Sequence, residues 1–226
     1  MTARPSAAEL AQTVLPNLER RVGESARFLL GLAGPPGAGK SDLADALVAV
    51  FERAHGAGTA IVVGMDGFHL RQRELVRRGL QSVKGSSQTF DPDGFIHLLA
   101  QLRQRDATVV APRFDRTLEE PVAAAVSVEP QHRLLIVEGN YLLFDGPWTP
   151  VRNLLDETWH LSLPDADRVP LLIGRHVAHG RTSEEAIEWV LRSDEANARL
   201  ITAAAHRADA ILDLLTGHLR RNDNSP

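Results

Sequence analysis

The sequence predicts an α/β fold of three layers, in which a mostly parallel five-stranded sheet lies between two layers of helices. Short apolar runs of strand length alternate along the chain with segments whose apolar residues recur at helical spacing. Several of these runs show no polar alternation, which is typical of parallel strands buried on both faces. No internal repeat or linker-like change of composition interrupts the pattern, so residues 1–226 are expected to form a single domain.

The first half of the chain opens with a helix, a strand, a loop and a second helix. Apolar spacing predicts the N-terminal helix over residues 8–22, and a near-continuous apolar run predicts the first strand over 28–33. Glycines end this strand, and helical spacing resumes at Leu43. The further elements are a second strand over 59–65, a mobile loop or short helix over 70–89, a helix over 91–103 and a third strand over 107–111.

The second half continues the alternation after an irregular stretch. Residues 114–129 match no regular element, and a hairpin or an excursion across one sheet edge is the working interpretation. A helix start of the capping type is expected at Ser183. The remaining elements are strands over 134–137, 158–163 and 210–214, helices over 166–178 and 183–205, and a polar, frayed tail over 220–226.

Composition excludes several classes of protein. The net charge of −4 provides no positive field for a polyanion, so nucleic acid is not expected as a partner. The absence of cysteine excludes disulfides, thiolate nucleophiles and cysteine-ligated metals. No apolar run approaches the length of a membrane span and no signal segment is evident, so we expect a cytoplasmic protein without a membrane partner.

The strongest motif lies between the first strand and the helix that follows it. Glycines there allow backbone N–H groups to turn toward phosphate oxygens, and the helix N-terminus adds its positive dipole. The lysine would reach the β- and γ-phosphates and the serine hydroxyl would coordinate Mg²⁺. The motif is Gly34-Pro35-Pro36-Gly37-Ala38-Gly39-Lys40-Ser41, and its lysine is one of only two in the chain.

Two carboxylates follow predicted strands at the edge of the sheet where ligands of open α/β folds collect. Asp66, in Asp66-Gly67-Phe68-His69, could accept the proton of a substrate hydroxyl group, or could be a turn or cap residue. Glu138 could hold Mg²⁺ through water, or could be a structural acid paired with arginine. Guanine-reading and ABC-type motifs are absent, which favours a kinase over a switch or a transporter motor.

Five segments together resemble the uridine kinase, phosphoribulokinase and pantothenate kinase group of P-loop kinases. They are the loop Gly34–Ser41, the segment from Met65 to His69, Lys84-Gly85 with Thr89-Phe90-Asp91, the segment from Pro112 to Arg116, and the segment from Val137 to Leu143. The chain resembles in particular the branch of fructose transport system kinases, also described as nucleoside/nucleotide kinase-like. It departs from the pattern at Ser87, where that branch usually has proline, and at His69, where uridine kinases usually have tyrosine.

The resemblance implies a P-loop NTPase-type fold with a helical lid over residues 168–182. It further implies Asp66 as the catalytic base, Lys40 and Ser41 on phosphates and metal, Glu138 on the metal and Asn197 near the adenine. A lid arginine would neutralise charge on the transferred phosphoryl group, and Arg175 is preferred to Arg181 for this role. From the residues alone, the lid segment is also consistent with a solvated basic helix face.

The basic segment that follows Asp66 is the candidate for the side of the site that binds the phosphoryl acceptor. The loop over residues 70–90 could gather the acceptor, with Lys84 in direct contact, or it could be a solvated surface. His69 could bind substrate or be a packed structural histidine. Tyr141 could line the acceptor pocket or pack in the core.

The hypothesis from sequence is an enzyme that uses ATP and Mg²⁺ to phosphorylate a hydroxyl group of a small metabolite, such as a sugar, a nucleoside or a pantothenate-like alcohol. The alternative is a nucleotide-binding regulatory or assembly module with slow hydrolysis and no small acceptor. Oligomeric state is not encoded in any readable pattern, and a homodimer is left open.

Overall fold

The computed structural model describes residues 4–23 and 25–222. The predicted elements are found with shifts of a few residues at their ends. The helices are α1 (Ala7–Val22), α2 (Lys40–His55), α3 (Gln72–Arg78), α4 (Pro92–Leu102), α5 (Thr149–Leu154), α6 (Asp165–Ala178), α7 (Ser183–Trp189) and α8 (Glu195–Ala203). The strands are β1 (Phe28–Ala33), β2 (Ala60–Gly64), β3 (Val109–Asp115), β4 (Glu120–Val128), β5 (Leu134–Gly139), β6 (Glu157–Ser162), β7 (Ala210–Asp213) and β8 (Leu219–Arg221).

The central sheet has the strand order β2-β5-β1-β6-β7-β8. The first five strands are parallel, and β8 pairs antiparallel with β7 at the edge. The fold class is therefore confirmed, although the sheet has six strands rather than five. The sixth strand, β8, extends into the segment 220–226 that was expected to fray, and residues 223–226 of that segment lie outside the described residues.

Two apolar cores, one on each face of the sheet, establish the three layers. On one face α1 and α2 pack through residues such as Leu18, Leu47 and Phe51. On the other face α4, α5 and α8 pack through residues such as Phe95 and Ile201. Because both faces are covered, the central strands are apolar without alternation, which is the pattern seen in the sequence.

The third predicted strand does not join the central sheet. The segment Val109–Asp115 pairs antiparallel with Glu120–Val128 in a separate two-stranded hairpin. The hairpin interpretation of the irregular stretch is thus confirmed, but the strand before it belongs to that hairpin. Most residues of β3 are partly exposed, unlike those of the inner strands β1 and β5, which are buried on both faces of the central sheet.

The helical segment predicted over 183–205 is divided by a π-helical turn at Val190–Asp194. The cap of α7 also lies one residue earlier than expected. Thr182, rather than Ser183, accepts from the backbone N–H of Glu185, and the Glu185 side chain accepts from the backbone N–H of Thr182. The segment 70–89 contains α3 and two short 3₁₀ turns.

Candidate functional site

Three neighbouring strands end at one cleft with a volume of about 590 Å³. β1 leads into the glycine-rich loop, β5 ends beside Glu138, and β2 leads into the turn that carries Asp66. Glu138 is in register with Leu32 of β1 and with Gly64 of β2. The parallel arrangement therefore brings the loop and the two carboxylates together at the carboxyl edge of the sheet, as ligand sites of open α/β folds require.

The glycine-rich loop folds tightly around the start of α2. Gly37 and Gly39 have φ angles of 81° and 86°, in the left-handed region that disfavours residues with a side chain. A Cβ atom on Gly37 would also lie 2.9 Å from Cβ of Leu172, so the loop packs directly on α6. Both glycines are thus needed for the loop's conformation, and Gly37 is also needed for the contact with α6.

Lys40 is buried beneath this loop. Its Nζ donates hydrogen bonds to the carbonyl oxygens of Gly34 at 2.8 Å and Pro35 at 3.2 Å. Burial lowers the pKa of Lys40, and the nearby carboxylates of Glu138 and Asp66 oppose that shift. The ammonium group is therefore held within the loop, where a phosphate oxygen could replace one of the two carbonyls.

Glu138 and Ser41 provide a donor set suited to Mg²⁺. Both residues line the cleft, and burial together with the charge of Asp66 raises the pKa of Glu138. No group of three His, Cys, Asp or Glu residues in the described chain could hold a metal ion. Mg²⁺ in kinases is usually held by one or two protein oxygens together with substrate phosphates and water, and Ser41 and Glu138 are the residues that could supply those oxygens.

Asp66 lies in a 3₁₀ turn (Met65–Phe68) directly after β2. The main-chain carbonyl oxygen of Asp66 accepts a hydrogen bond from the backbone N–H of His69 at 3.2 Å, and this bond closes the turn. Its side chain lines the cleft, where Oδ2 lies 3.5 Å from Nη2 of Arg116. The carboxylate is therefore available in the same cleft as Lys40.

The residues expected on the acceptor side take different positions. His69 lines the cleft, with its ring 3.9 Å from Phe90 and 4.8 Å from Phe114 between centroids. Lys84 also lines the cleft and forms an ion pair with Glu119. Tyr141 is 1% exposed, and its hydroxyl donates to the carbonyl oxygen of Gly85, so it supports the loop from behind the cleft wall.

One side of the cleft is formed by residues of α6, the π-helical turn, α7 and α8 and by the segment between α6 and α7. Arg175, Arg181 and Asn197 all line the cleft. His176 of α6 lies 2.8 Å from the carboxylate of Asp194, which joins α6 to the π-helical turn. The guanidinium of Arg181 stacks on Trp189 at 4.2 Å from the ring centroid, whereas Arg175 forms no such stack within the described residues.

Comparison with known proteins gives relatives over most of the chain. A protein of Schizosaccharomyces pombe described as a putative uridine kinase is 34% identical over 197 residues, which cover 84% of each chain. The crystal structure of a putative fructose transport system kinase from Silicibacter sp. TM1040 is 40% identical, with a TM-score of 0.76, and covers 89% of this chain and 96% of that one. This chain belongs to the P-loop kinases of the uridine kinase, phosphoribulokinase and pantothenate kinase group.

Further relatives of this P-loop kinase are more distant. A pantothenate kinase of Corynebacterium glutamicum is 32% identical over 132 residues, which cover 58% of this chain and 42% of that one. No family model matches the chain. The relatives are named as small-molecule kinases. The prediction of an enzyme, rather than a regulatory module, is therefore confirmed. In the described chain, no helix is both long enough and apolar enough to cross a membrane.

Sequence reasoning did not assign roles to several residues of the kinase's cleft. They are Arg116 and Glu119 in the turn of the hairpin, Trp189 at the end of α7, and Asp194 in the π-helical turn. Arg116 and Asp66 are separated by 50 positions, so no local pattern could indicate their contact. For Arg116, the segment from Pro112 to Arg116 was a signal, through the resemblance.

Proposed function

We propose that this P-loop kinase transfers the γ-phosphoryl group of ATP, with Mg²⁺, to a hydroxyl group of a small metabolite such as a sugar, a nucleoside or a pantothenate-like alcohol. The observation that carries the proposal is the presence of Asp66 and Lys40 in one cleft, close enough for the charge of Asp66 to act on the pKa of Lys40. A triphosphate on the loop would then point its γ-phosphorus toward an acceptor held against Asp66.

In the proposed reaction the acceptor oxygen attacks the γ-phosphorus. Its proton passes to the carboxylate of Asp66, the bond between the γ-phosphorus and the β–γ bridging oxygen breaks, and ADP leaves with the electron pair. Lys40 would exchange its bond with a loop carbonyl for one with a phosphate oxygen. Ser41 and Glu138 would hold Mg²⁺, which supplies charge neutralisation of the β- and γ-phosphates when bound.

The adenine of ATP would lie beside Asn197, a residue of α8 whose side chain lines the cleft. The segment 168–182 would act as a lid, with Arg175 over the transferred phosphoryl group. The loop over residues 70–90 would bound the acceptor, through His69 and Lys84. The lining of the cleft supports each of these roles.

The proposed partner is a small-molecule acceptor alone. The net charge of −4 and the mixed charges of the cleft favour no polyanion, so nucleic acid is not included. A homodimer stays a prediction.

The test is ATP consumption with Mg²⁺, with and without a mixture of hydroxyl-bearing metabolites. We expect a metabolite to stimulate ADP release, with one phosphorylated product formed for each ADP. Hydrolysis that no metabolite stimulates, and that yields only inorganic phosphate, would contradict the proposal.

A further inference from the structure

Glu119 is placed at the acceptor side of the cleft by the turn between β3 and β4. The carboxylate of Asp115 accepts from the backbone N–H groups of Thr117 and Leu118, which shapes this turn. Glu119 follows with a φ of 55°, in the left-handed region that glutamate rarely adopts. A left-handed residue commonly closes a short hairpin connection, and here it sets the position from which the Glu119 side chain leaves the turn.

Lys84 fixes Glu119 in this conformation through two contacts. Its Nζ donates to the main-chain carbonyl oxygen of Glu119 and to Oε2 of its carboxylate, each at 3.1 Å. The other carboxylate oxygen, Oε1, takes no part in the contact with Lys84. The Glu119 side chain is 61% exposed although it lines the cleft, so a molecule in the cleft could reach it.

The charges around this part of the cleft balance in pairs. Lys84 pairs with Glu119, and Arg116 lies 3.5 Å from Asp66. His69 lies nearby, and burial lowers its pKa, so it is neutral near pH 7. Of the other cations that line the cleft, the proposed function assigns Lys40 and Arg175 to the phosphates of ATP, and Arg181 stacks on Trp189. An acceptor that carries its own carboxylate or phosphate would therefore compete for these groups and would face Asp66 and Glu119.

The rest of this wall is aromatic. The rings of Phe90 and Phe114 flank His69, and the Lys84 ammonium lies 5.6 Å from the centroid of Phe114. Aromatic faces next to a carboxylate and an ammonium offer packing for C–H groups beside hydrogen-bond partners for hydroxyl groups. A neutral molecule with several hydroxyl groups matches both surfaces.

We infer that Glu119 selects a neutral acceptor that carries two adjacent hydroxyl groups, as sugars and ribonucleosides do. The inference rests on the proposed function and names its substrate class. The Glu119 carboxylate accepts hydrogen bonds from the two hydroxyl groups, and Lys84 donates to one of their oxygens. A further hydroxyl group of the same molecule then faces Asp66 and receives the phosphoryl group.

The test compares acceptors of two classes with wild-type protein, ATP and Mg²⁺. D-Fructose and uridine are neutral and carry adjacent hydroxyl groups. 2′-Deoxyuridine is neutral but lacks the adjacent pair of ribose hydroxyls, and D-glycerate and pantothenate carry a carboxylate. We expect turnover with fructose or uridine and little turnover with the two carboxylates. Which of fructose and uridine is phosphorylated shows whether the acceptor is a sugar or a nucleoside. If uridine is the acceptor, 2′-deoxyuridine should be at least about tenfold poorer in kcat/KM, from the lost charge-assisted hydrogen bond.

Two variants assign the effect to Glu119. Glu119→Gln should raise the acceptor KM at least about tenfold and leave the KM for ATP unchanged. Glu119→Gly suits the left-handed backbone, so it should fold normally and show the same rise. Asp106→Asn is the matched control, because this exposed carboxylate lies outside the cleft.

Each outcome decides the inference. Preference for a carboxylate acceptor, or an unchanged acceptor KM in both Glu119 variants, would overturn it and leave the kinase proposal standing. Turnover with none of the five acceptors, in a protein that also shows no stimulation by the wider metabolite mixture, would overturn both.

Discussion

Arg168 donates a hydrogen bond from Nη1 to the carbonyl oxygen of Pro36 at 3.0 Å, so a fully buried guanidinium supports the glycine-rich loop from outside the cleft. The same group forms ion pairs with Asp165 at 2.7 Å and Glu195 at 2.6 Å. One side chain thus joins the loop, the start of α6 and the start of α8. Sequence reasoning placed Arg168 within the lid cluster, whereas in the structure it does not line the cleft.

Replacement of Arg168 should weaken both the fold and the loop. Arg168→Gln leaves Glu195 largely buried without its cation, so we expect the free energy of unfolding to fall by about 3 kcal/mol. ATP affinity should fall as well, because the loop loses its outer support. Arg168→Lys keeps the charge but not the planar set of donors, and should be intermediate.

Denaturant unfolding and ATP titration measure the two effects of Arg168→Gln. The exposed Arg53 lies away from the loop, so Arg53→Gln serves as the matched control. Wild-type stability together with wild-type ATP affinity in Arg168→Gln would show that the loop does not depend on this contact.

His160 predicts a pH dependence of stability. It is 3% exposed, and neither ring nitrogen has a hydrogen-bond partner within the described residues. Burial, reinforced by the charge of Lys40, lowers its pKa to about 4. The unfolded chain, with an ordinary pKa of about 6.5, binds the proton more tightly, so the free energy of unfolding should decrease as pH falls from about 6.5 to about 4.

Substitution of His160 by leucine should remove this component. At pH 7 the variant should be as stable as the wild type or more stable, because two unpaired polar atoms leave the interior. Urea unfolding at pH 7 and pH 5 measures the change, with His97→Leu at an exposed position as the control. An equal loss of stability between the two pH values in wild type and His160→Leu would contradict the prediction.

The two cleft arginines of the lid should differ in their effect on turnover. Arg175 is free of the stack that holds Arg181 against Trp189. Arg175→Ala should therefore lower kcat at least about tenfold, since it removes charge stabilisation of the transferred phosphoryl group. Arg181→Ala should have a smaller effect. Steady-state kinetics with saturating acceptor compares them, and the reverse order would assign the role to Arg181.

Local patterns predicted the fold because most of its determinants are local. The glycines of Gly34–Ser41 are required by the backbone of the loop itself, and the strands beside it are apolar because both faces of the sheet are covered. The hairpin was less accessible, because β3 and β4 are partly exposed and pair with each other rather than with the sheet. Strand β8 is only three residues long and gave no signal.

The candidate site was predictable where a residue directly follows a buried strand. Asp66 and Glu138 were found for this reason, and both line the cleft. Glu119 and Arg116 were not assigned a role, because they reach the cleft through a hairpin whose position depends on tertiary packing. The support that Tyr141 gives to Gly85 spans 56 positions and likewise has no sequence pattern.

The most direct measurement of the central claim is a comparison of Asp66→Asn with wild type, in single-turnover formation of phosphorylated acceptor and in equilibrium ATP binding. Asp93→Asn, at an exposed position in α4, is the control. With Asp66 as the base, turnover should fall at least about 100-fold while the ATP dissociation constant stays within about threefold. Turnover of Asp66→Asn within a few-fold of wild type would show that Asp66 is not the base.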